Sequence, residues 1–133
     1  MTKPSTLTGP RALFLAAALS LSFAAGPAFA HHSFAMFDRN KPTPMKGTIK
    51  QVDWTNPHVS LWVYVETKPG AQPEVWNLEC ANPSNLKRNG FTKRTFNPGD
   101  KVDIVYLPSR DGSHSGQLRK IISATGQSYS MEK

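Results

Sequence analysis

The chain has 133 residues, 38% of them hydrophobic, with a formal net charge of +7 and a single cysteine. This length suits one small domain, and the lone Cys80 excludes an internal disulfide, so the fold must depend on its hydrophobic core. The basic balance is typical of a solvated surface or of a protein that binds anions.

The first 30 residues have the pattern of a secretory signal peptide. Lys3 and Arg11 supply positive charge without an acid, residues 12–25 are small or apolar apart from two serines, and residues 28–30 match an A-x-A cleavage site. The apolar run of 14 residues is shorter than the ~20 residues that a membrane-spanning helix needs. We therefore predict cleavage after Ala30, export to the periplasm and no membrane anchor in the mature chain.

The mature chain, residues 31–133, is predicted to be a single small β-barrel domain. Loss of Lys3 and Arg11 with the leader lowers its formal charge to +5. An exported protein rarely meets nucleic acid, so we expect no nucleic-acid partner. The expected partner is a small ligand or a periplasmic protein.

Five segments of the mature chain have the pattern of β-strands. The clearest runs from Val59 to Glu66, where every second residue is a branched aliphatic one, the period of two expected of a half-buried strand. The run that precedes it does not alternate strictly, which predicts a bulge or coil near Gly47. The four other predicted strands are residues 47–54, 74–80, 102–107 and 117–124.

A short helix is predicted between the third and fourth strands. Asn82 is a capping residue, Pro83 follows it, and basic residues and Gly90 end the segment. The order β-β-β-α-β-β is typical of a five-stranded Greek-key barrel of the oligonucleotide/oligosaccharide-binding (OB) type. A β-sandwich would have about seven strands and no central helix. We therefore predict an all-β, OB-fold-like barrel.

Histidines form the first candidate binding site. Cleavage after Ala30 would make His31 the N-terminal residue, whose α-amine and Nδ1 together would chelate a metal. His32 and His58 would add imidazoles, and a planar set of such nitrogens suits Cu(II) above other common divalent metals. We therefore predict a site for copper or another divalent metal at His31, His32 and His58, and we expect His114 to be a solvent-exposed loop residue. The alternative interpretation of these histidines is that His31 and His32 belong only to a mobile polar terminus and that His58 caps a turn.

Aromatic side chains form the second candidate site. Trp62, Tyr64 and Trp76 fall on the second and third strands, whose face is the usual ligand platform of an OB barrel. Packing in the core is the other role that such rings have in a small domain. If these residues form a binding face, the protein is a metal-free module that binds a small ligand, a glycan or a partner protein. This hypothesis is the alternative to the metal site.

Glu79 is the carboxylate that we add to this ligand-binding set. It stands between Leu78 and Cys80, so we expect it to be partly buried, with Lys87 or Arg88 as its partner. No acid pair has a spacing typical of general acid–base catalysis, and the chain has neither a nucleophile elbow nor a glycine-rich phosphate loop. These observations disfavour an enzyme.

Several motifs of the mature chain resemble a family of small exported bacterial proteins of unknown function. Members of that family open with His-His-Ser-Phe after the signal peptide and carry a Trp-x-Asn-Pro-His turn. The resemblance implies a proteobacterial, periplasmic protein, and it implies no activity, substrate or cofactor. Cys80 departs from the pattern, which has a small or apolar residue there. The matching motifs are HHSFAMFD at residues 31–38, GTI at 47–49, WTNPH at 54–58, WNLE at 76–79 and PGDKV at 98–102.

Overall fold

The computed structural model describes residues 36–131, so the predicted signal peptide, His31 and His32 lie outside the described residues. No helix in the described range is long and apolar enough to cross a membrane. The elements in this range are β1 (Thr43–Asp53), β2 (Ser60–Val65), β3 (Glu74–Glu79), α1 (Pro83–Arg88), β4 (Lys101–Pro108), β5 (Ser115–Ser123) and β6 (Ser128–Ser130).

Five of these strands form a closed, mixed β-barrel. The order around the barrel is β3-β2-β1-β4-β5, with antiparallel neighbours, and β5 then pairs in parallel with β3 to close it. The short strand β6 pairs with β5. A closed five-stranded barrel with one short helix between β3 and β4 confirms the predicted OB-like fold class.

The alternation along β2 divides its side chains between the core and the outer surface. Leu61 and Val63 are fully buried, whereas Trp62 and Tyr64 stand on the opposite face of the strand. Val63 lies opposite Trp76 in β3, and Trp76 packs against the core cluster. The two neighbouring strands therefore carry their aromatic residues on different faces of the barrel.

β1 differs from its predicted form at both its start and its bulge. It begins at Thr43 rather than Gly47, because its first half pairs with β4 before its second half pairs with β2. The irregularity lies between Ile49 and Gln51 instead of at Gly47, which leaves Lys50 as the extra residue. A bulge bends and twists its strand, and this one lies where β1 passes from one partner to the other.

Helix α1 forms at the position that its capping signals predict. The side chain of Asn82 accepts the backbone N–H of Asn85 at 2.9 Å, and Pro83 occupies the first turn. Leu86 is fully buried and belongs to the core cluster, so it attaches the helix to the barrel. The helix ends before Gly90, whose φ of 78° is unfavourable for residues with a Cβ.

The first described residues join the barrel beside the β4–β5 loop, residues 109–114. Phe37 forms a β-bridge with Ser109, and the carbonyl of Met36 accepts the N–H of Arg110 at 2.8 Å. Phe37 is 5% exposed and Met36 is 51% exposed. The chain is therefore anchored at Phe37, and Met36 lies at the surface next to this loop.

Candidate functional site

Two outward rings on β2 and a lysine of β1 form a continuous surface. The indole N–H of Trp62 donates to Oδ2 of Asp53 at 2.7 Å, which holds the ring in one orientation. The side chain of Tyr64 is exposed. Nζ of Lys50 lies 6.0 Å from the ring centroid of Trp62 and 5.7 Å from that of Tyr64, which is within cation–π range. Lys50, Trp62 and Tyr64 are called the aromatic face below.

A shallow groove of about 670 Å³ lies beside the aromatic face, along Tyr64. Its charged lining consists of three lysines and one carboxylate: Lys46, Lys68, Lys101 and Glu66. Lys46 also forms an ion pair with Asp103 at 3.2 Å, and Lys101 donates to Oγ1 of Thr48 at 2.8 Å. The groove therefore has a positive balance of charge next to exposed aromatic rings.

Trp76 belongs to a different cluster, at the start of β3. Its ring stacks on His114 with a centroid distance of 4.9 Å and an interplanar angle of 14°, and it meets Tyr106 edge-on at 5.5 Å. Nε2 of His114 lies 3.4 Å from Oε2 of Glu74. The indole nitrogen of Trp76 is buried, and no group in residues 36–131 accepts its hydrogen. Glu74, Trp76 and His114 are called the His114 cluster below.

Glu79 and His58 meet at the other end of β3. Nδ1 of His58, in the β1–β2 turn, lies 3.5 Å from Oε1 of Glu79, whose side chain is partly buried. The expectation that Lys87 or Arg88 pairs with Glu79 is wrong: in the last turn of α1, Arg88 bonds to Asn85 on its own helix. The strand-end position of Glu79 brings it to the β1–β2 turn instead.

The structure places the predicted site residues in three separate regions. Trp62 and Tyr64 share the aromatic face, Trp76 packs toward the core under His114, and Glu79 pairs with His58. The two predicted N-terminal metal ligands lie outside the described residues. Within residues 36–131, no three His, Cys, Asp or Glu side chains lie close enough together to hold a metal ion.

Neither the role of Lys50 nor the pairing of His114 with Glu74 is apparent from the sequence. Lys50 is the extra residue of the β1 bulge, and its place above two β2 rings depends on the exact register of that bulge. His114 meets Glu74 because β5 returns to pair with β3. Neither contact leaves a periodic signal in the sequence, since both depend on cross-strand register.

The profile of a family of unknown function, DUF6152, matches residues 18–119. The chain belongs to that family. The matched range contains the aromatic face, the His114 cluster and the His58–Glu79 pair. The resemblance to a family of unknown function is thereby confirmed at this level. No curated protein and no solved structure matches the chain.

Proposed function

We propose that this protein is an exported, periplasmic binding module that holds an acidic oligosaccharide on its aromatic face. The observation that carries the proposal is the position of Lys50 over the outward rings of Trp62 and Tyr64, beside a lysine-lined groove. The apolar faces of sugar rings stack on aromatic side chains, and lysines attract carboxylates or phosphates. The face of strands 2 and 3 is also where OB barrels bind oligosaccharides.

The charge of the surface favours an acidic sugar over a neutral one. Lys50 stands above the rings, where the carboxylate of Asp53 bonds to Trp62. In the adjoining groove, three lysines outnumber Glu66 and Asp103, the carboxylate that pairs with Lys46. Attraction between exposed charges is screened by salt, with a Debye length of ~8 Å at physiological ionic strength. Binding should therefore weaken as salt is added. Single-stranded nucleic acid combines rings and charge in a similar way, but the predicted leader sends this chain to a compartment without it.

A pair of tetrasaccharides tests this function. We expect a uronic-acid tetrasaccharide to bind and a glucose tetrasaccharide of the same length to bind more weakly, with both affinities measured by isothermal titration calorimetry. Tyr64→Ala should weaken the acidic complex about tenfold, or ~1.4 kcal/mol, because a stacking surface is lost. Lys50→Gln should weaken it several-fold at low salt. Lys93→Gln is the matched control, since it removes the same charge from an exposed lysine outside the face and groove.

Three outcomes would contradict the proposal. The first is equal affinity for the two sugars, and the second is an equal loss in Lys50→Gln and Lys93→Gln. The third is tighter binding of a short oligothymidylate than of the uronic-acid sugar, which would indicate a nucleic-acid site. Thermal unfolding of Tyr64→Ala shows whether a loss of affinity reflects a loss of fold.

The second candidate function is binding of Cu(II) or another divalent metal at the processed N-terminus. The observation that favours it is that both histidines within residues 36–131, His58 and His114, have a glutamate oxygen 3.4–3.5 Å from one ring nitrogen. Metal-binding histidines are oriented in this way, by a carboxylate on the nitrogen that does not bind the metal. The α-amine and Nδ1 of His31, with His32 beside it, would complete the ligand set.

This second function is tested on the full chain expressed in a Gram-negative host. Intact-mass analysis of the exported protein checks cleavage after Ala30. A four-residue Ala-Gly-Ser-Gly extension before His31 keeps every histidine but removes the α-amine from the chelate. We expect this extension to lower the Cu(II) affinity at least tenfold. Equal affinities of the processed and extended chains would overturn the function.

A further inference from the structure

We infer that the binding surface for acidic sugars continues from the aromatic face across the outside of the barrel to β5, so that the ligand is a long chain of acidic sugars. This inference rests on the proposed function and extends it to a second region of the barrel. The path that the chain would follow is called the outer track below, and it is defined by Tyr64, Thr48, Pro44, Val105 and Lys120.

Strand register places the five residues of the outer track on one surface. Thr48 of β1 pairs with Tyr64 of β2, and Pro44, four residues earlier in β1, pairs with Val105 of β4. Val105 pairs in turn with Lys120 of β5. Residues two or four apart on a strand share a face, and so do residues that pair directly across strands. The track therefore crosses β1, β4 and β5 on their outward side.

The outer track is longer than the aromatic face. Three strand spacings of ~4.8 Å and four residues of ~3.3 Å separate Tyr64 from Lys120, so the track is on the order of 20 Å long. Trp62 lies two residues further back along β2, which adds ~7 Å in the same direction. We therefore expect a tetrasaccharide bound to the two rings to end before Lys120 and an octasaccharide to reach it.

Three adjoining recesses follow the outer track. The groove along Tyr64 shares Lys46 with a recess of about 400 Å³ on β1, β4 and β5. That recess shares Val105 and Lys120 with a further recess of about 500 Å³, which Arg39 also lines. Because consecutive recesses have walls in common, the outer track is a continuous depression from β2 to β5.

The lining of the recesses combines apolar surface with an excess of positive charge. Pro44, Val105 and Ile122 supply apolar surface on which a sugar ring can lie. Among the described residues that line the three recesses, six are basic and two are acidic: Lys46, Lys68, Lys101, Lys120, Arg39 and Arg119 against Glu66 and Asp103. This balance attracts a chain that carries a negative charge on its sugar units.

A bulge in β5 concentrates positive charge at the far end of the outer track. The register shifts between Val105 and Tyr106 of β4, which leaves Arg119 as the extra residue of β5. Adjacent residues of a regular strand point to opposite faces, yet Arg119 and Lys120 line the same recess. The bulge in β1 likewise supplies Lys50 to the aromatic face. Each end of the surface therefore has a basic residue that a bulge places there.

The test compares a uronic-acid tetrasaccharide with the octasaccharide of the same sugar, titrated calorimetrically into the protein exported from the full chain. We expect Lys120→Gln to weaken octasaccharide binding about threefold, the effect of one exposed ion pair, and to leave tetrasaccharide binding unchanged. Lys93→Gln is the matched control, since it removes the same charge from an exposed lysine outside the three recesses. Added salt should weaken the octasaccharide complex more steeply than the tetrasaccharide complex.

The variants, rather than the gain in affinity with length, decide the outcome, because a longer chain also binds the rings in more registers. An equal loss of octasaccharide affinity in Lys120→Gln and Lys93→Gln overturns the outer track, and so does an equal loss for both sugar lengths in Lys120→Gln. Tighter binding of an eight-residue oligothymidylate than of the octasaccharide would also overturn it, in favour of nucleic acid.

The proposed function fails in a different measurement, namely if the uronic-acid tetrasaccharide binds no better than the neutral one. The outer track fails on the comparison of Lys120→Gln with Lys93→Gln while the acidic tetrasaccharide still binds. Lys120→Glu is a second variant, which reverses the charge and should weaken the octasaccharide complex more than Lys120→Gln does. Lys120 is exposed, so thermal unfolding should show that both variants keep the natural fold.

Discussion

At the scale of single residues, Cys80 shows how burial controls side-chain chemistry. Its side chain is 4% exposed. Burial, with a smaller contribution from the charge of Glu79, raises the pKa of the thiol well above its usual range. Cys80 directly follows β3 and belongs to the core cluster with Leu78 of that strand. The thiol therefore stays protonated in the folded protein and has the inert character of a buried cysteine.

We predict that Cys80 makes stability fall at alkaline pH. Because its folded-state pKa is raised, its stabilisation is complete below the unfolded pKa of ~8.5 and is lost as pH rises, when only the unfolded chain releases the proton. The slope of the unfolding free energy approaches about 1.4 kcal/mol per pH unit. Urea unfolding at pH 8, 9 and 10 measures this slope.

The control for the Cys80 prediction is Cys80→Ala. This variant should be less stable at pH 8 because it leaves a cavity, but it should lack the alkaline slope. Burial also raises the pKa of Tyr106. The resulting loss of stability is the same in the natural chain and in Cys80→Ala, and it begins only near pH 10, where an unfolded tyrosine titrates. Equal slopes in the two proteins between pH 8 and 9.5 would contradict the prediction.

At the scale of elements, local signals predicted α1 well and β1 less well. The cap at Asn82, the proline after it and the glycine beyond the helix act within one or two turns, so they can be read without knowing the fold. The start of β1 at Thr43 depends on its pairing with Tyr106 of β4, a residue distant in the chain. Non-local pairing of this kind leaves no local signature.

We predict that Asn82→Ala destabilises the protein by about 1 kcal/mol, because the N–H of Asn85 loses its acceptor. Asn82→Asp is the matched variant. It keeps the acceptor oxygen and places a negative charge at the helix N-terminus, so its unfolding free energy should equal or exceed that of the natural chain. Urea denaturation of the three proteins measures the differences, and an equal loss in Asp and Ala variants would refute the capping role.

At the scale of the whole molecule, Gly116 lies where the barrel closes. It pairs with Pro108 of β4 on one side and with Leu78 of β3 on the other. A Cβ at this position would lie 2.5 Å from both the carbonyl oxygen of Leu107 and the ring of Tyr106. Because β4 approaches β5 so closely here, the position of Gly116, where β5 closes the barrel, requires a residue without a side chain.

We therefore predict that Gly116→Ala destabilises the barrel by about 1–3 kcal/mol, the usual cost of overpacking. Gly47→Ala is the matched control in β1, where a Cβ would lie 3.2 Å from the carbonyl oxygen of Tyr64 and would need a smaller shift. Thermal and urea unfolding should rank Gly116→Ala as the less stable variant. A larger loss in Gly47→Ala would show that the seam tolerates a side chain.

The sequence by itself determined the fold class of this protein and its local structure apart from the start of β1 and the position of the β1 bulge. The alternation of β2, the capping of α1 and the order of the elements are properties of neighbouring residues, and together they indicate an OB-like barrel. Only the tertiary structure decided which side chains meet: Lys50 above the β2 rings, His58 with Glu79, and His114 with Glu74 and Trp76. The physical reason is that a period of two assigns each side chain to a face of the sheet. Which side chains become neighbours on that face depends on the bulge in β1, on the register between paired strands and on the pairing of β5 with β3.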